Sequence, residues 1–117
     1  MFNDVKILHM TGSELNRVDR LLGFIERNPS DAFSRHALAM EYIKMGKDAD
    51  ARYQLETLLA DDPGYVGSYY HLGKIHERMG DLSAAAMVYA RGMDAARLAG
   101  DRHAAGELNA ALLNIED

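Results

Sequence analysis

Five histidines, His9, His36, His71, His76 and His103, are the side chains best suited to ligate a metal or to move a proton near neutral pH. Their spacing does not assemble a site. His71 and His76 are five residues apart, whereas two imidazoles share a helical face at i and i+4, and no HExxH or carboxylate–histidine set accompanies them. The chain has no cysteine, which removes structural disulfides, thiolate metal sites and cysteine nucleophiles. Pro63-Gly64-Tyr65-Val66-Gly67 lacks the lysine and the following serine or threonine of a phosphate loop, and it joins two helical stretches, so it reads as a turn. The serines have no histidine and acid at recognisable catalytic spacing. A non-catalytic chain, without metal or cofactor, is the expectation.

The net charge is -5 and the pI near 5.5. No chain-wide positive field is available to neutralise phosphates or an anionic membrane, and neither nucleic acid nor membrane is an expected partner. The N-terminal MFNDVKILHMTGSEL has neither the basic start nor the continuous apolar stretch of a signal peptide. Nowhere do about 18 apolar residues run together, and a cytoplasmic protein is expected. Residues 1–12 are read as an N-terminal extension with no assigned function. The length of 117 residues is that of one domain, here residues 13–117.

The elements that must position any site are helices, because alanine, leucine, methionine, glutamate and arginine dominate and β-branched residues are sparse. The two prolines, Pro29 and Pro63, stand 34 residues apart, each behind an apolar helical stretch. Laying 30–63 over 64–97 tests whether that interval is a repeat. Leu38, Ala39 and Tyr42 fall on Leu72, Gly73 and His76; Met45-Gly46 falls on Met79-Gly80; Ala51, Leu55 and Leu58 fall on Ala85, Tyr89 and Gly92.

Each unit therefore reads as two helices around a glycine-containing turn. The first helices, about 31–45 and 65–79, carry core residues at helical spacing: Leu38, Tyr42 and Met45, then Tyr69, Leu72, His76 and Met79. Ala39 or Gly73 is expected to face Ala51 or Ala85 where the paired helices approach. Gly46 and Gly80 close the first helices in the left-handed conformation, and Asp48 and Asp81 are placed to cap the second ones.

These residues resemble the tetratricopeptide repeats, whose 34-residue unit has an aromatic, leucine, small residue, aromatic, alanine, aromatic and proline at set spacings. Unit two follows it as Tyr69-x-x-Leu72-Gly73-x-x-His76 and Ala85-x-x-x-Tyr89, with histidine as the second aromatic. Unit one reads Arg35-x-x-Leu38-Ala39-x-x-Tyr42, Ala51-x-x-x-Leu55 and Pro63, with arginine for the leading aromatic. An arginine can lay its alkyl stem on the core there. The resemblance spans roughly residues 29–97.

The implied fold is all-α: antiparallel helix-turn-helix repeats in a short right-handed α-solenoid of about six helices. Repeat 1 is 30–63 and repeat 2 is 64–98. A half-repeat helix at 13–28, with Leu15, Val18, Leu21, Leu22, Phe24 and Ile25, precedes them. A C-terminal capping helix at 101–116 follows, started by Asp101 and carrying Leu108, Leu112, Leu113 and Ile115 in one stripe. His76, at a core aromatic position, is expected to be buried and hydrogen-bonded to a neighbour.

The resemblance also implies a function, the binding of a peptide or protein segment on the concave face lined by first helices. The matching positions are Phe33, His36, Met40, Ile43 and Lys44 in unit one, and Gly67, Tyr70, Lys74, Glu77 and Arg78 in unit two. An apolar and aromatic strip beside Lys44, Lys74 and Arg78 suits a partner with acidic and apolar groups. The alternatives at these positions are packing of the apolar stripe on the N-terminal helix and, for Lys74 and Arg78, a solvated face paired with Glu77 or Glu41. The specialised form that clamps a chaperone's C-terminal carboxylate uses asparagines absent from both first helices, and is not expected. A second function of another class is self-association, a homodimer through terminal helices by Leu108, Leu112 and Leu113 or by Leu21 and Ile25.

Overall fold

The computed structural model describes residues 12–116, and the side chains of residues 16–116. The N-terminal extension up to residue 11, and the side chain of Leu15, lie outside the described residues. Six helices follow one another among the described residues: α1 (Gly12–Arg27), α2 (Ala32–Lys44), α3 (Asp48–Asp61), α4 (Gly67–Arg78), α5 (Leu82–Ala99) and α6 (Arg102–Glu116). No strand occurs among them. The chain divides between Gln54 and Leu55, within α3, into two compact units.

The helix ends follow the local chemistry. Gly46, Gly80 and Gly100 hold φ of 73°, 81° and 72°, the region in which a Cβ is penalised and glycine is not. Each stands in the same pair of closing hydrogen bonds. Gly46 N and Lys47 N donate to Ile43 O and Tyr42 O, Gly80 N and Asp81 N to Glu77 O and His76 O, and Gly100 N and Asp101 N to Arg97 O and Ala96 O. This geometry satisfies carbonyls that a helix end leaves unpaired. The proline turns repeat as well, with Asp31 N donating to Asn28 O and, 34 positions later, Tyr65 N donating to Asp62 O, both at 3.1 Å.

Helix starts differ between the repeats. Asp31, Asp81 and Asp101 each accept a hydrogen bond from the backbone N–H three residues on, as expected of capping carboxylates. Asp48 does not occupy that place. The first helical hydrogen bond of α3 runs from Ala51 N to Lys47 O, the equivalent of Ala85 N to Asp81 O, so Lys47 stands where Asp81 stands. Asp48 is the first residue inside α3, where its charge favours the positive end of the helix dipole.

In the first unit Val18, Ile25 and Leu38 form a buried cluster, with Leu21, Tyr42 and Met45 packed against it. Ala39 and Ala51 are fully buried. Arg35, which replaces an aromatic, is held at its head: Nε donates to Pro29 O at 3.2 Å and Nη1 to Gln54 Oε1 at 2.9 Å. Leu22 and Phe24 depart from the expected apolar stripe and are exposed.

In the second unit the core gathers Leu55, Leu58, Leu59, Tyr69, Leu72, Ile75, Ala85, Val88, Tyr89, Ala96 and Leu108. The close approach of α4 and α5 is a reciprocal glycine–tyrosine fit. A Cβ on Gly73 would lie 2.1 Å from Tyr89 Cε1, and a Cβ on Gly92 would lie 2.6 Å from Tyr69 Cβ. The nearest neighbour of Gly73 is thus the Tyr89 ring, one turn beyond the expected Ala85. Met79 is 40% exposed and not a core residue, because α4 ends at Arg78 and Met79 already belongs to the turn. On α6, Leu108 and Ala111 face inward while Leu113 is 54% exposed, so the C-terminal leucines do not share one face.

Candidate functional site

The second unit carries a connected polar and aromatic group on α4. Tyr70 is half-buried, its ring edge-on to His71 with centroids 5.7 Å apart and tilted toward Tyr89 at 6.4 Å. Lys74 sits one turn on, its Nζ 5.5 Å above the Tyr70 ring, an attraction between the cation and the ring quadrupole. The same Nζ lies 3.6 Å from Glu77 Oε2, and that oxygen accepts the hydrogen bond of the Tyr89 hydroxyl. Burial and this hydrogen bond push the Tyr89 phenol far above its ordinary range. Burial, helped by the Arg78 charge and opposed by Glu107, holds the His71 imidazole below its ordinary value.

Of the positions expected in this unit, Tyr70, Lys74 and Glu77 are therefore brought together in one chain of contacts, with Arg78 exposed at its end. The positive charge of Lys74 is shared between a ring and a carboxylate. Glu77 is anchored by a buried tyrosine and cannot swing freely. His76 is buried at the expected place, its Nε2 3.9 Å from Glu56 Oε2, a distance of charge proximity and too long for a hydrogen bond.

In the first unit the expected residues separate. Lys44 pairs with Glu41 at 3.4 Å, and Glu41 also accepts from Arg17 Nε at 3.1 Å. His36, Met40 and Ile43 are half-buried, whereas Phe33 is 69% exposed. Phe33 lines a groove of about 680 Å³ between α1 and α2, together with Arg20, Leu21, Phe24, Ala37 and Glu41. His36, Met40, Ile43 and Lys44 do not line it. Arg20 and Phe24 were not among the residues expected from sequence. The signal was present, since Arg17, Arg20, Phe24 and Arg27 fall at i, i+3, i+7 and i+10 of α1, one stripe of a helix.

Among the described residues no three metal-ligating side chains converge, and no helix is long and apolar enough to cross a membrane. No family model and no curated protein matches the chain. Solved structures do. A crystal structure of a tetratricopeptide repeat domain protein from Salinibacter ruber is 42% identical over 74% of this chain and 96% of its own, with a TM-score of 0.71. A solution structure of a tetratricopeptide repeat domain protein from the same organism gives 42% identity over 74% of this chain and 87% of its own, with a TM-score of 0.70. A solution structure of a Bordetella parapertussis protein is 25% identical over 85% of this chain and 86% of its own, with a TM-score of 0.73. With the repeat read from residues 29–97, the glycine turns one period apart and this similarity, the chain belongs to the tetratricopeptide repeat family.

Proposed function

We propose that this protein is a non-catalytic interaction module that binds a peptide or protein segment bearing acidic and apolar groups, with Tyr70 of α4 as its principal anchor. The fold is that of a protein-interaction module in general. The observation that carries the finer reading is Lys74 Nζ 5.5 Å above a half-exposed Tyr70 ring, with Arg78 exposed beside it. A rigid aromatic side chain ordered by a cation offers contact area at low entropic cost, the property of residues that dominate binding energy. A carboxylate of the partner is attracted by the cations Lys74 and Arg78 on this side of α4. In the first unit, Phe33, Met40 and Ile43 of α2 are candidate apolar contacts in their own right, with His36 and Lys44 beside them.

The test is a pull-down from source-cell lysate with wild type and the Tyr70→Ala/Lys74→Glu variant side by side, read by mass spectrometry, with helicity measured on both. A protein held by wild type and lost by an equally helical variant supports the reading. Retention by both removes Tyr70 and Lys74 from the site.

A second reading, self-association, is favoured by the exposure of Leu113 on α6. Of the expected trio of C-terminal leucines, Leu108 is fully used inside the second unit, Leu112 is half-buried and Leu113 is exposed. A mass that grows with concentration in the absence of any partner supports it.

A further inference from the structure

We propose that the groove between α1 and α2 of the first unit is a docking site of its own, for an acidic peptide segment of a partner protein that carries a bulky apolar side chain. The inference rests on the reading of the chain as a protein-binding module, and not on the α4 residues.

The groove has an apolar floor and an aromatic rim. Leu21 and Ala37 lie within it, and Phe24 and Phe33, 40% and 69% exposed, stand on α1 and α2. Two exposed phenylalanines around one hollow leave apolar surface in water that a monomer gains by covering. The volume of about 680 Å³ accepts more than one large side chain.

The charges around this floor are already matched on one side only. The two acids of the wall are engaged: Asp31 takes both the N–H and the hydroxyl of Ser34, at 3.0 and 2.6 Å, and Glu41 takes Arg17 and Lys44. Arg20 and Arg27 make no ion pair with other described residues. Both border a second hollow of about 470 Å³ that shares Arg20 and Phe24 with the first and is also lined by Asp19, so that cations outnumber acids there by two to one. Phe24 thus stands one helical turn from an arginine on either side. A planar guanidinium binds a carboxylate through two parallel hydrogen bonds, so a segment with acids flanking an apolar residue meets both arginines and the ring between them. A basic or neutral segment leaves the arginines uncompensated.

The test is titration of the full chain, isotopically labelled for NMR, with three synthetic probes. The first is a short peptide of glutamates flanking a Leu-Phe pair, the second has lysines in place of the glutamates, and the third copies residues 1–11 of this chain. The expected result is amide shifts on α1 and α2 with the glutamate probe alone, weakened by added salt. Arg20→Glu should lower that affinity about tenfold, with Phe24→Ala as a second variant that leaves the charges in place. Tyr70→Ala/Lys74→Glu should leave it unchanged. Shifts confined to α4 overturn this inference and leave the α4 reading standing, while shifts at neither helix overturn this inference and leave the pull-down to decide the other. Equal binding of the lysine probe or of the residue 1–11 probe removes the selection for acid. Groove shifts that grow with protein concentration before any peptide is added assign the surface to a second copy instead.

Discussion

Replacing Gly73 by alanine adds one methyl group and should still cost a sizeable share of a typical domain's stability of about 5–15 kcal/mol. Its Cβ would lie 2.1 Å from Tyr89 Cε1 and 2.6 Å from Cδ1 and Cζ. Carbon atoms rest about 3.5–4.0 Å apart, so either the ring or α4 must give by more than an ångström. The ring has little freedom, because Tyr89 is fully buried and its hydroxyl is tied to Glu77. Overpacking of a core typically costs about 1–3 kcal/mol, and contact with an aromatic ring across two helix backbones belongs at the upper end. Alanine returns about 1 kcal/mol through its better helix propensity. The net loss is about 2 kcal/mol, a fall in Tm of roughly 10 °C for a chain of this size.

The assay is thermal and denaturant unfolding followed by circular dichroism, with Gly106→Ala as control. Gly106 is also within a helix, yet nothing lies within 4 Å of its added Cβ. That variant should gain about 0.4–1 kcal/mol, so the same substitution has opposite signs at the two sites. Pairing Gly73→Ala with Tyr89→Leu should recover part of the loss, with a coupling of about 1 kcal/mol or more. A Gly73→Ala protein that melts at or above the wild type would refute the reciprocal glycine–tyrosine fit.

Asp81→Ala removes the acceptor for Ala84 N and should cost about 1 kcal/mol, measured as a drop in denaturant midpoint at unchanged slope. Asp48→Ala, lacking the capping place, should cost less than Asp81→Ala in the same measurement. The His71 imidazole is held below its ordinary value of 6.5 by burial first and by Arg78 second, against the opposing pull of Glu107. The folded state therefore binds fewer protons than the unfolded one. Stability should be fully present above pH 6.5, decline as the pH falls below it, and level off under the folded-state value. His71→Gln should flatten that segment of the stability-against-pH curve.

Period and punctuation were open to reading in the sequence because they rest on local rules. Gly46, Gly80 and Gly100 sit where a left-handed residue must end a helix, and Asp81 and Asp101 precede apolar runs at capping distance. A one-residue offset misplaced Asp48: the first repeat has Lys47 where the second has Asp81, and a capping rule applied to the nearest acid chooses wrongly. Met79 went astray for a related reason, since apolar spacing continues through it while the helix does not.

The candidate site was harder to read, because exposure depends on which neighbour arrives and not on the residue's own helix. On α1, Val18, Leu21, Leu22, Phe24 and Ile25 are too many apolar residues for one face, and hydropathy alone cannot choose among them. Val18 and Ile25 are seven apart and meet Leu38, which leaves Phe24 on the adjoining stripe with Arg17, Arg20 and Arg27. The arginines then acquire meaning through what they lack. Arg17 finds Glu41, a residue 24 positions away that no helical spacing connects to it, and Arg20 finds no such partner among the described residues. An exposed phenylalanine beside such an arginine differs from one beside a matched pair, because only the first leaves both an apolar surface and a charge for another chain to satisfy. Charge reversal at Arg20 and truncation at Phe24 separate those two contributions, and only a surface that uses both should respond to each.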